Sequence, residues 1–115
     1  MKNNRKIIST ATLECPFRQT LDRLEGKWKF AIIYELLKKD CYRFKELERQ
    51  IEGITARMLI KELKSLEKSD IVSRKQYPTV PPKVEYSLTA HGATLEPIMT
   101  SMTEWGKKHL KRKRG

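Results

Sequence analysis

The chain has 115 residues, and its 25 basic and 14 acidic side chains give a formal net charge of +11 at pH 7. A chain of this length is expected to fold as one domain with its own hydrophobic core. Nine of the basic residues and none of the acidic ones lie in residues 1–6 and 107–115, so most of the excess charge belongs to the two ends. We therefore predict a basic arm (1–14), a folded domain (15–106) and a basic tail (107–115). Such ends either suit a polyanion or keep a small protein soluble.

The sequence excludes several classes of protein. No apolar run approaches about 18 residues, and residues 1–10 lack the apolar segment of a signal peptide, so we predict a cytoplasmic protein with no membrane partner. Cys15, Cys41, His91 and His109 have neither the number nor the spacing of metal ligands, so no metal or cofactor is expected. Because there is also no nucleophile with a nearby base and no Gly-rich phosphate loop, we do not expect an enzyme.

The first part of the chain predicts two helices. Phe17, Leu21 and Leu24 recur at helical spacing and predict a helix over residues 17–24. A second helix, predicted over residues 27–39, carries a wide apolar stripe and is expected to be the most buried helix of the domain. This stripe consists of Trp28, Phe30, Ile32, Ile33, Leu36 and Leu37.

Residues 44–69 predict two helices joined by a short turn. The first, over residues 44–51, ends near Gly53, and the second begins after Thr55, whose hydroxyl can accept an orphan backbone N–H as an N-cap. One side of the second helix is apolar and the other is basic, the layout in which a helix enters the DNA major groove. The alternative is an ordinary amphipathic helix with a solvated basic face. The apolar side carries Met58, Leu59, Leu63 and Leu66, and Ala56, Arg57, Ile60, Lys61 and Lys64 lie on the other sides.

Two short runs, residues 71–77 and 83–88, are rich in β-branched and aromatic residues and predict a β-hairpin. The connecting segment Pro78–Pro82 contains three prolines, which cannot donate to a strand ladder, so we expect a projecting and semi-rigid loop. Residues 41–43 are too short for an independent strand, yet they lie where a winged helix places a third strand beside this hairpin. A helix-turn-helix followed by such a hairpin is a winged helix, so the predicted fold class is α+β, mostly α.

A final helix is predicted over residues 90–111. Its apolar residues recur at spacings of three and four, on a face longer than a domain of this size can cover by itself. We therefore predict a dimer interface formed together with the N-terminal helix, and packing within the chain is the alternative interpretation. The predicted interface residues are Phe17, Leu21, Leu95, Ile98, Met99, Met102 and Trp105.

Several motifs along the chain resemble those of a known family. They are Cys15-Pro16, Gly26-Lys27-Trp28, Arg43-Phe44-x-Glu46-Leu47, Gly53-Ile54-x-x-Arg57-Met58-Leu59, Leu63-x-x-Leu66-Glu67 and Tyr77-Pro78-x-Val80-Pro81-Pro82-Lys83-Val84-Glu85-Tyr86-Ser87-Leu88-Thr89-x-x-Gly92. Over residues 15–106 the chain resembles the HxlR family of bacterial transcriptional regulators. The resemblance implies a MarR-like winged helix that dimerises through its N- and C-terminal helices. It also implies a homodimer that binds double-stranded DNA at an inverted repeat in a promoter.

The resemblance further implies which side chains face DNA. Thr55, Ala56 and Arg57 begin the recognition helix, and Arg57 is expected to contact guanine edges. Lys61 and Lys64 are expected at phosphates, because an ammonium group acts as a point charge without a planar fork. The wing is expected to contact the backbone or the minor groove, and the start of the preceding helix is expected to contact phosphates. The residues concerned are Arg74, Lys75 and Lys83 in the wing, and Arg43 and Lys45 at the helix start.

Some members of the family respond to aldehydes, quinones or oxidants through a cysteine that corresponds to Cys15, which makes Cys15 a candidate sensor. Its position before a helix start favours a thiolate, and the alternative is a small buried side chain in the dimer interface. Cys41 departs from the small or polar residues usual in the family at this turn, and whether it pairs with another thiol stays open. The resemblance also allows a small-molecule effector of unidentified chemistry.

A second class of function is a winged helix that uses its basic face to bind an acidic protein partner, with no specific operator. Salt distinguishes the two classes, because binding driven by phosphate contacts weakens with a log-log slope of about −0.9 per phosphate contacted. An affinity indifferent to salt would favour the protein partner.

Overall fold

The computed structural model describes residues 15–114. The basic arm predicted at residues 1–14 lies outside the described residues, and so does Gly115. In chain order the elements are helices α1 (Pro16–Leu24), α2 (Lys29–Leu36), α3 (Phe44–Gln50) and α4 (Ala56–Lys68), strands β1 (Val72–Tyr77) and β2 (Lys83–Leu88), and helices α5 (Ala90–Ala93) and α6 (Glu96–Arg114). The fold is mostly helical with one small antiparallel sheet, which confirms the predicted winged helix-turn-helix. In this part of the chain no helix is both long and apolar enough to cross a membrane.

Helices α2 and α4 supply much of the hydrophobic core, because each buries one apolar side in the same cluster. The buried apolar residues of these two helices are Ile32, Ile33, Leu36, Leu59, Leu63 and Leu66. An ion pair joins the helices as well, since Lys29 Nζ lies 2.6 Å from Glu62 Oε1 and both side chains are largely buried. Trp28 is half-buried and packs against this core, as its place in the apolar stripe predicted.

The turn between α3 and α4 depends on two residues. Gly53 has a φ of +88°, a left-handed conformation that glycine adopts without steric cost. Thr55 is the N-cap of α4, and its hydroxyl accepts a hydrogen bond from the Met58 N–H at 3.1 Å, which confirms the predicted cap. Because Ile51 and Ile54 are buried within this connection, the turn is held against the core.

Strands β1 and β2 pair antiparallel along their full length and leave residues 78–82 as the loop at the wing tip. At the other edge of β2, Tyr42 forms an isolated bridge with Tyr86 through two backbone hydrogen bonds of 2.8 Å. Residues 41–43 therefore pair with the hairpin through a single bridge, at the place expected for a third strand and without forming an independent strand.

The side chain of Tyr42 connects this sheet to α2. Its phenol O–H donates to the Glu35 carboxylate at 3.1 Å, and both side chains are buried. Lys38 Nζ donates to the other carboxylate oxygen at 3.0 Å, so the buried charge is paired. Burial, followed by the contact with Glu35, raises the pKa of Tyr42 to about 12. The phenol therefore stays protonated and remains a donor at neutral pH.

The prediction of a single helix over residues 90–111 is wrong, because the chain turns at Thr94 and Leu95 between α5 and α6. Pro97 lies in the first turn of α6 and has no N–H to donate to the carbonyl of Ala93. A continuous helix would lose this hydrogen bond and would place the proline ring against the preceding turn, so the chain starts a new helix instead.

Helix α2 is also shorter than the predicted range of 27–39. The Lys38 N–H donates to the carbonyl of Glu35, three residues earlier, which tightens the end of the helix. The helix therefore ends before the two lysines that were expected in its last turn.

Gly92 marks a close approach between α5 and the residue before the wing. Its N–H donates at 2.8 Å to the hydroxyl of Thr89, the N-cap of α5, and the Thr89 N–H donates at 3.0 Å to the carbonyl of Ile71. A Cβ atom on residue 92 would overlap the Ile71 carbonyl oxygen, whereas a Cβ on Gly106 in α6 would meet open space. Only glycine fits at residue 92 without a backbone shift.

We expect Gly92→Ala to lower the free energy of unfolding by about 2 kcal/mol, because the Ile71 backbone must move to admit the methyl group. Gly106→Ala is the matched control and should keep or raise stability by up to about 1 kcal/mol, since alanine favours a helix. Urea unfolding followed by circular dichroism measures both variants. A Gly92→Ala protein as stable as the parent would contradict the close approach.

Candidate nucleic-acid interface

The exposed side of α4 carries the basic residues that the sequence predicted at DNA. Arg57, Lys61 and Lys64 are exposed, and within residues 15–114 none of them belongs to an ion pair. Ala56 and Ile60 are exposed on the same helix. Because the leucines on the opposite side are buried, the helix is held in one rotation and presents its positive charge to solvent.

The predicted residues at the two helix starts are already engaged in part. The hydroxyl of Thr55 accepts the Met58 N–H, so it serves the helix cap. The backbone N–H of Arg43 donates to the Glu46 carboxylate at 2.7 Å, and this bond is the main cause of the lowered pKa of Glu46. A phosphate would have to displace Glu46 to use that N–H, whereas the side chains of Arg43 and Lys45 are exposed.

An open groove of about 600 Å³ brings the start of α3 together with the wing. It is lined by Lys39, Cys41, Arg43, Lys45, Glu46, Arg49 and Glu85. Burial, followed by the negative charge of Glu85, raises the pKa of the Cys41 thiol. Cys41 therefore lies in a site that holds the thiol protonated, which is the opposite of what a reactive thiolate requires.

Two wing residues that were predicted to contact DNA, Arg74 and Lys75, differ in orientation. The register pairs Arg74 with Tyr86 and Lys75 with Glu85, so Arg74 and Lys75 project from opposite faces of the hairpin. Both side chains are exposed. A DNA duplex that contacts one face of the hairpin thus cannot make equivalent contacts with both side chains.

The ammonium group of Lys83 has partners within the wing, which the sequence did not predict. Its Nζ lies 3.5 Å from Glu85 and 4.8 Å from the centre of the Tyr77 ring. The Tyr77 O–H donates to the same carboxylate at 2.9 Å and is the main cause of the lowered pKa of Glu85. Part of the charge of Lys83 is therefore neutralised within the wing.

The predicted dimer residues fall into two groups. Phe17, Ile98, Met102 and Trp105 are exposed, and Trp105 retains 67% of its accessible surface. Leu21 and Leu95 are half-buried. Met99 differs from all of these, since it is only 8% exposed and belongs to the core of its own chain. Its surface is covered within the chain, in contrast to what its position in the apolar stripe suggested.

Cys15 lies immediately before α1 as its N-cap residue, and it is a free and half-buried thiol. Its carbonyl accepts the Gln19 N–H at 2.9 Å, so its backbone is part of the helix start. Arg18, three residues after Cys15, has its Nε 3.9 Å from Asp22. The two thiols thus differ in setting, since Cys15 begins a helix and Cys41 faces a carboxylate.

Two apolar side chains without a predicted role are exposed on α4 and on the wing. Ile60 lies among the basic residues of α4, and Val80 at the wing tip is fully exposed. Their positions were visible in the sequence, as an isoleucine off the leucine stripe and as a valine between prolines.

Comparisons with known proteins agree with this geometry. A model of the HxlR-like helix-turn-helix family matches residues 23–114. An uncharacterized HTH-type transcriptional regulator of Halalkalibacterium halodurans is 52% identical over 96 residues, which span 84% of this chain and 85% of the relative. The redox regulator HypR in its reduced form has a TM-score of 0.77 and 48% identity over 82% of this chain and 92% of HypR. The reduced form of the transcriptional regulator YodB from Bacillus subtilis has a TM-score of 0.72 and 35% identity over 82% of this chain and 92% of YodB.

The family match runs from the end of α1 to the end of α6 and thus covers the helix-turn-helix and the wing. The relatives are transcriptional regulators rather than enzymes. The chain belongs to the HxlR-like helix-turn-helix family of DNA-binding transcriptional regulators.

Proposed function

We propose that this protein is a sequence-specific transcriptional regulator that acts as a homodimer on an inverted-repeat promoter site. One observation carries the proposal: α4 buries its leucines and exposes Arg57, Lys61 and Lys64 without ion-pair partners in the described chain. Free positive charge on a helix held in one rotation suits the DNA major groove. A regulator of this kind would act in the cytoplasm, where bacterial DNA is found.

Within this proposal the basic residues of α4 have two roles, contact with bases and contact with phosphates. Arg57 lies in the first turn of α4, where a side chain reaches base edges, and its planar guanidinium can donate two hydrogen bonds to guanine. Lys61 and Lys64 lie further along the same exposed side and suit phosphates. Arg43, Arg74 and Lys75 are further exposed basic residues, although Arg74 and Lys75 project from opposite faces of the wing. Lys45 and Lys83 contribute less, because each lies near a carboxylate, at 3.9 Å from Glu48 and 3.5 Å from Glu85.

We expect Arg57→Ala to reduce the preference for the promoter fragment over random DNA by about 1–3 kcal/mol, because the lost contacts are to bases. Lys61→Ala is the matched control and should weaken binding to both DNAs alike, because phosphates are common to all sequences. Fluorescence anisotropy on the fragment upstream of the gene and on a scrambled fragment measures both effects.

A salt series on the same samples tests the second class of function. The log-log slope should be steep, and its magnitude should decrease by about two in Lys61→Ala, because the dimer loses one phosphate contact per subunit. Equal losses by both variants on both fragments would remove the base-contact role of Arg57. A salt-indifferent affinity would instead favour an acidic protein partner.

The homodimer is inferred from the apolar surface that α6 and α1 leave uncovered. Met102 and Trp105 on α6, together with Phe17 on α1, are exposed large hydrophobic side chains. An isolated exposed residue needs no explanation, but a row at helical spacing on a 19-residue helix is typical of a protein interface. A dimer would also supply the two recognition helices that an inverted repeat requires.

We expect Trp105→Glu to convert the dimer to monomers, raising the dimer dissociation constant by about 100-fold or more, because an unpaired carboxylate would be buried. Thr100→Glu, on the opposite side of α6, is the control and should remain dimeric. Analytical ultracentrifugation at micromolar concentration measures both proteins. A parent protein that sediments as a monomer would contradict the proposed assembly.

Gating by a thiol is the further part of this proposal. The relative HypR is described as a redox regulator, with structures in reduced and oxidized forms. In this chain Cys15 is the better candidate of the two cysteines, since it is half-buried at the start of a helix that borders the proposed interface. Cys41 is disfavoured by the carboxylate of Glu85.

We expect diamide or methylglyoxal to change the affinity for promoter DNA by about tenfold or more, the scale of a typical coupling between two sites. The response should vanish in Cys15→Ser and persist in Cys41→Ser, which serves as the control. Electrophoretic mobility shifts with treated and untreated protein supply the measurement. A Cys15→Ser variant that still responds would exclude Cys15 as the sensor while leaving DNA binding intact.

A further inference from the structure

Ile60 is an apolar side chain on the charged side of the recognition helix. It keeps 45% of its surface accessible, and in the described chain it is the only large hydrophobic residue exposed on α4. Single exposed hydrophobic residues are common on protein surfaces, so exposure alone carries little weight. The location of Ile60 among the basic residues is what requires an explanation.

The neighbours of Ile60 define two parallel rows on α4. Arg57 lies three residues before it and Lys64 four residues after it, so both are adjacent to Ile60 on the helix surface. Ala56, four residues before Ile60, is exposed as well. At four-residue spacing, Ala56 and Ile60 form a row that Lys64 continues, and this row runs beside a basic row of Arg57 and Lys61.

The fold itself gains little from an isoleucine at this position. The core takes Leu59, Leu63 and Leu66 from α4, with Met58 packed against it, and Ile60 is not part of this cluster. Isoleucine is also a poorer helix former than alanine, lysine or glutamate, because its branched side chain loses rotamer freedom. Because 45% of the Ile60 side chain stays accessible, packing and helix propensity account for only part of the choice of isoleucine.

The chemistry of the DNA major groove offers one partner for such a side chain. The base edges there present hydrogen-bond donors and acceptors, and thymine adds an apolar 5-methyl group. A β-branched side chain next to an arginine that contacts guanine would meet the neighbouring base pair. An apolar side chain at that place leaves polar base edges without a partner and favours the methyl group.

We propose that Ile60 selects a thymine next to the base pair contacted by Arg57, through contact with the thymine 5-methyl group. This inference rests on the proposed function, in which α4 enters the major groove. Ala56, one turn earlier in the same row, extends the apolar surface toward the start of the helix.

The test uses the full-length protein and the duplexes that it selects from a random-sequence library. In the best duplex each thymine of a half-site is replaced in turn by uracil, which removes a single methyl group and keeps every hydrogen bond. A single replacement in one half-site should lower the affinity of the parent protein about fourfold, the expected effect of one methyl group transferred from water.

Two variants separate the methyl contact from other effects. Ile60→Ala should bind the thymine duplex several-fold more weakly than the parent and should bind thymine and uracil duplexes equally. Lys64→Ala is the control, which should weaken binding to both duplexes and keep the fourfold ratio between them. Because Ile60 is exposed and alanine favours a helix, the first variant should fold normally.

The outcomes distinguish this inference from the function on which it rests. An Ile60→Ala protein that keeps the thymine preference of the parent would overturn the assignment to Ile60. A selected duplex with no uracil-sensitive position would overturn the methyl contact and leave sequence-specific binding in place. A parent protein that selects no sequence at all would overturn the proposed function, and this inference with it.

Discussion

The burial of one side of α4 is the constraint on which the rest of the molecule depends. Leu59, Leu63 and Leu66 lie in the core, and the buried ion pair between Glu62 and Lys29 adds a directional contact with α2. Since side chains recur every 3.6 residues around a helix, burying this side determines which residues face outward. The same leucines that stabilise the domain therefore orient the positive charge for binding.

The connection between α4 and the wing is short and hydrogen-bonded. Asp70, just after the end of α4, has a left-handed φ of +61°. Its N–H donates to the carbonyl of Glu67, and the next N–H, that of Ile71, donates at 2.9 Å to the carbonyl of Leu66. This pattern is a Schellman motif, in which a left-handed residue satisfies the last carbonyls of a helix. The strand β1 begins directly afterwards. At the far edge of the sheet, Tyr42 connects the wing to α2 through backbone and side-chain hydrogen bonds. Hydrogen bonds thus connect the wing to the recognition helix on one side and to α2 on the other.

The sequence predicted best those features of the fold and the site that depend on residues close together in the chain. The N-cap at Thr55 and the apolar side of α4 depend on residues within two turns of one another, and both were predicted correctly. The break before α6 was also a local effect of Pro97, and the prediction gave the regular apolar spacing too much weight. The burial of Met99 could not be predicted, because it depends on which part of the domain packs against α6. The pairing of Lys83 with Glu85 is a local feature that the prediction missed, since residues two apart on a strand project from the same face.

The burial of the α4 leucines restricts how a signal can change DNA affinity. Cys15 begins α1, and the exposed residues of α6 include Met102 and Trp105, so the candidate sensor and the proposed interface lie on elements outside the recognition helix and the wing. An open groove of about 530 Å³, with Trp28, Met99 and Met102 in its lining, separates part of α6 from α2. Deforming α4 would expose its buried leucines, which is costly, whereas moving one subunit relative to its partner exposes no core residue. In the proposed dimer, a modification at Cys15 would therefore act on the distance between the two recognition helices. Half-sites of an inverted repeat lie about 34 Å apart, so a small rotation of the subunits is enough to remove one helix from its groove.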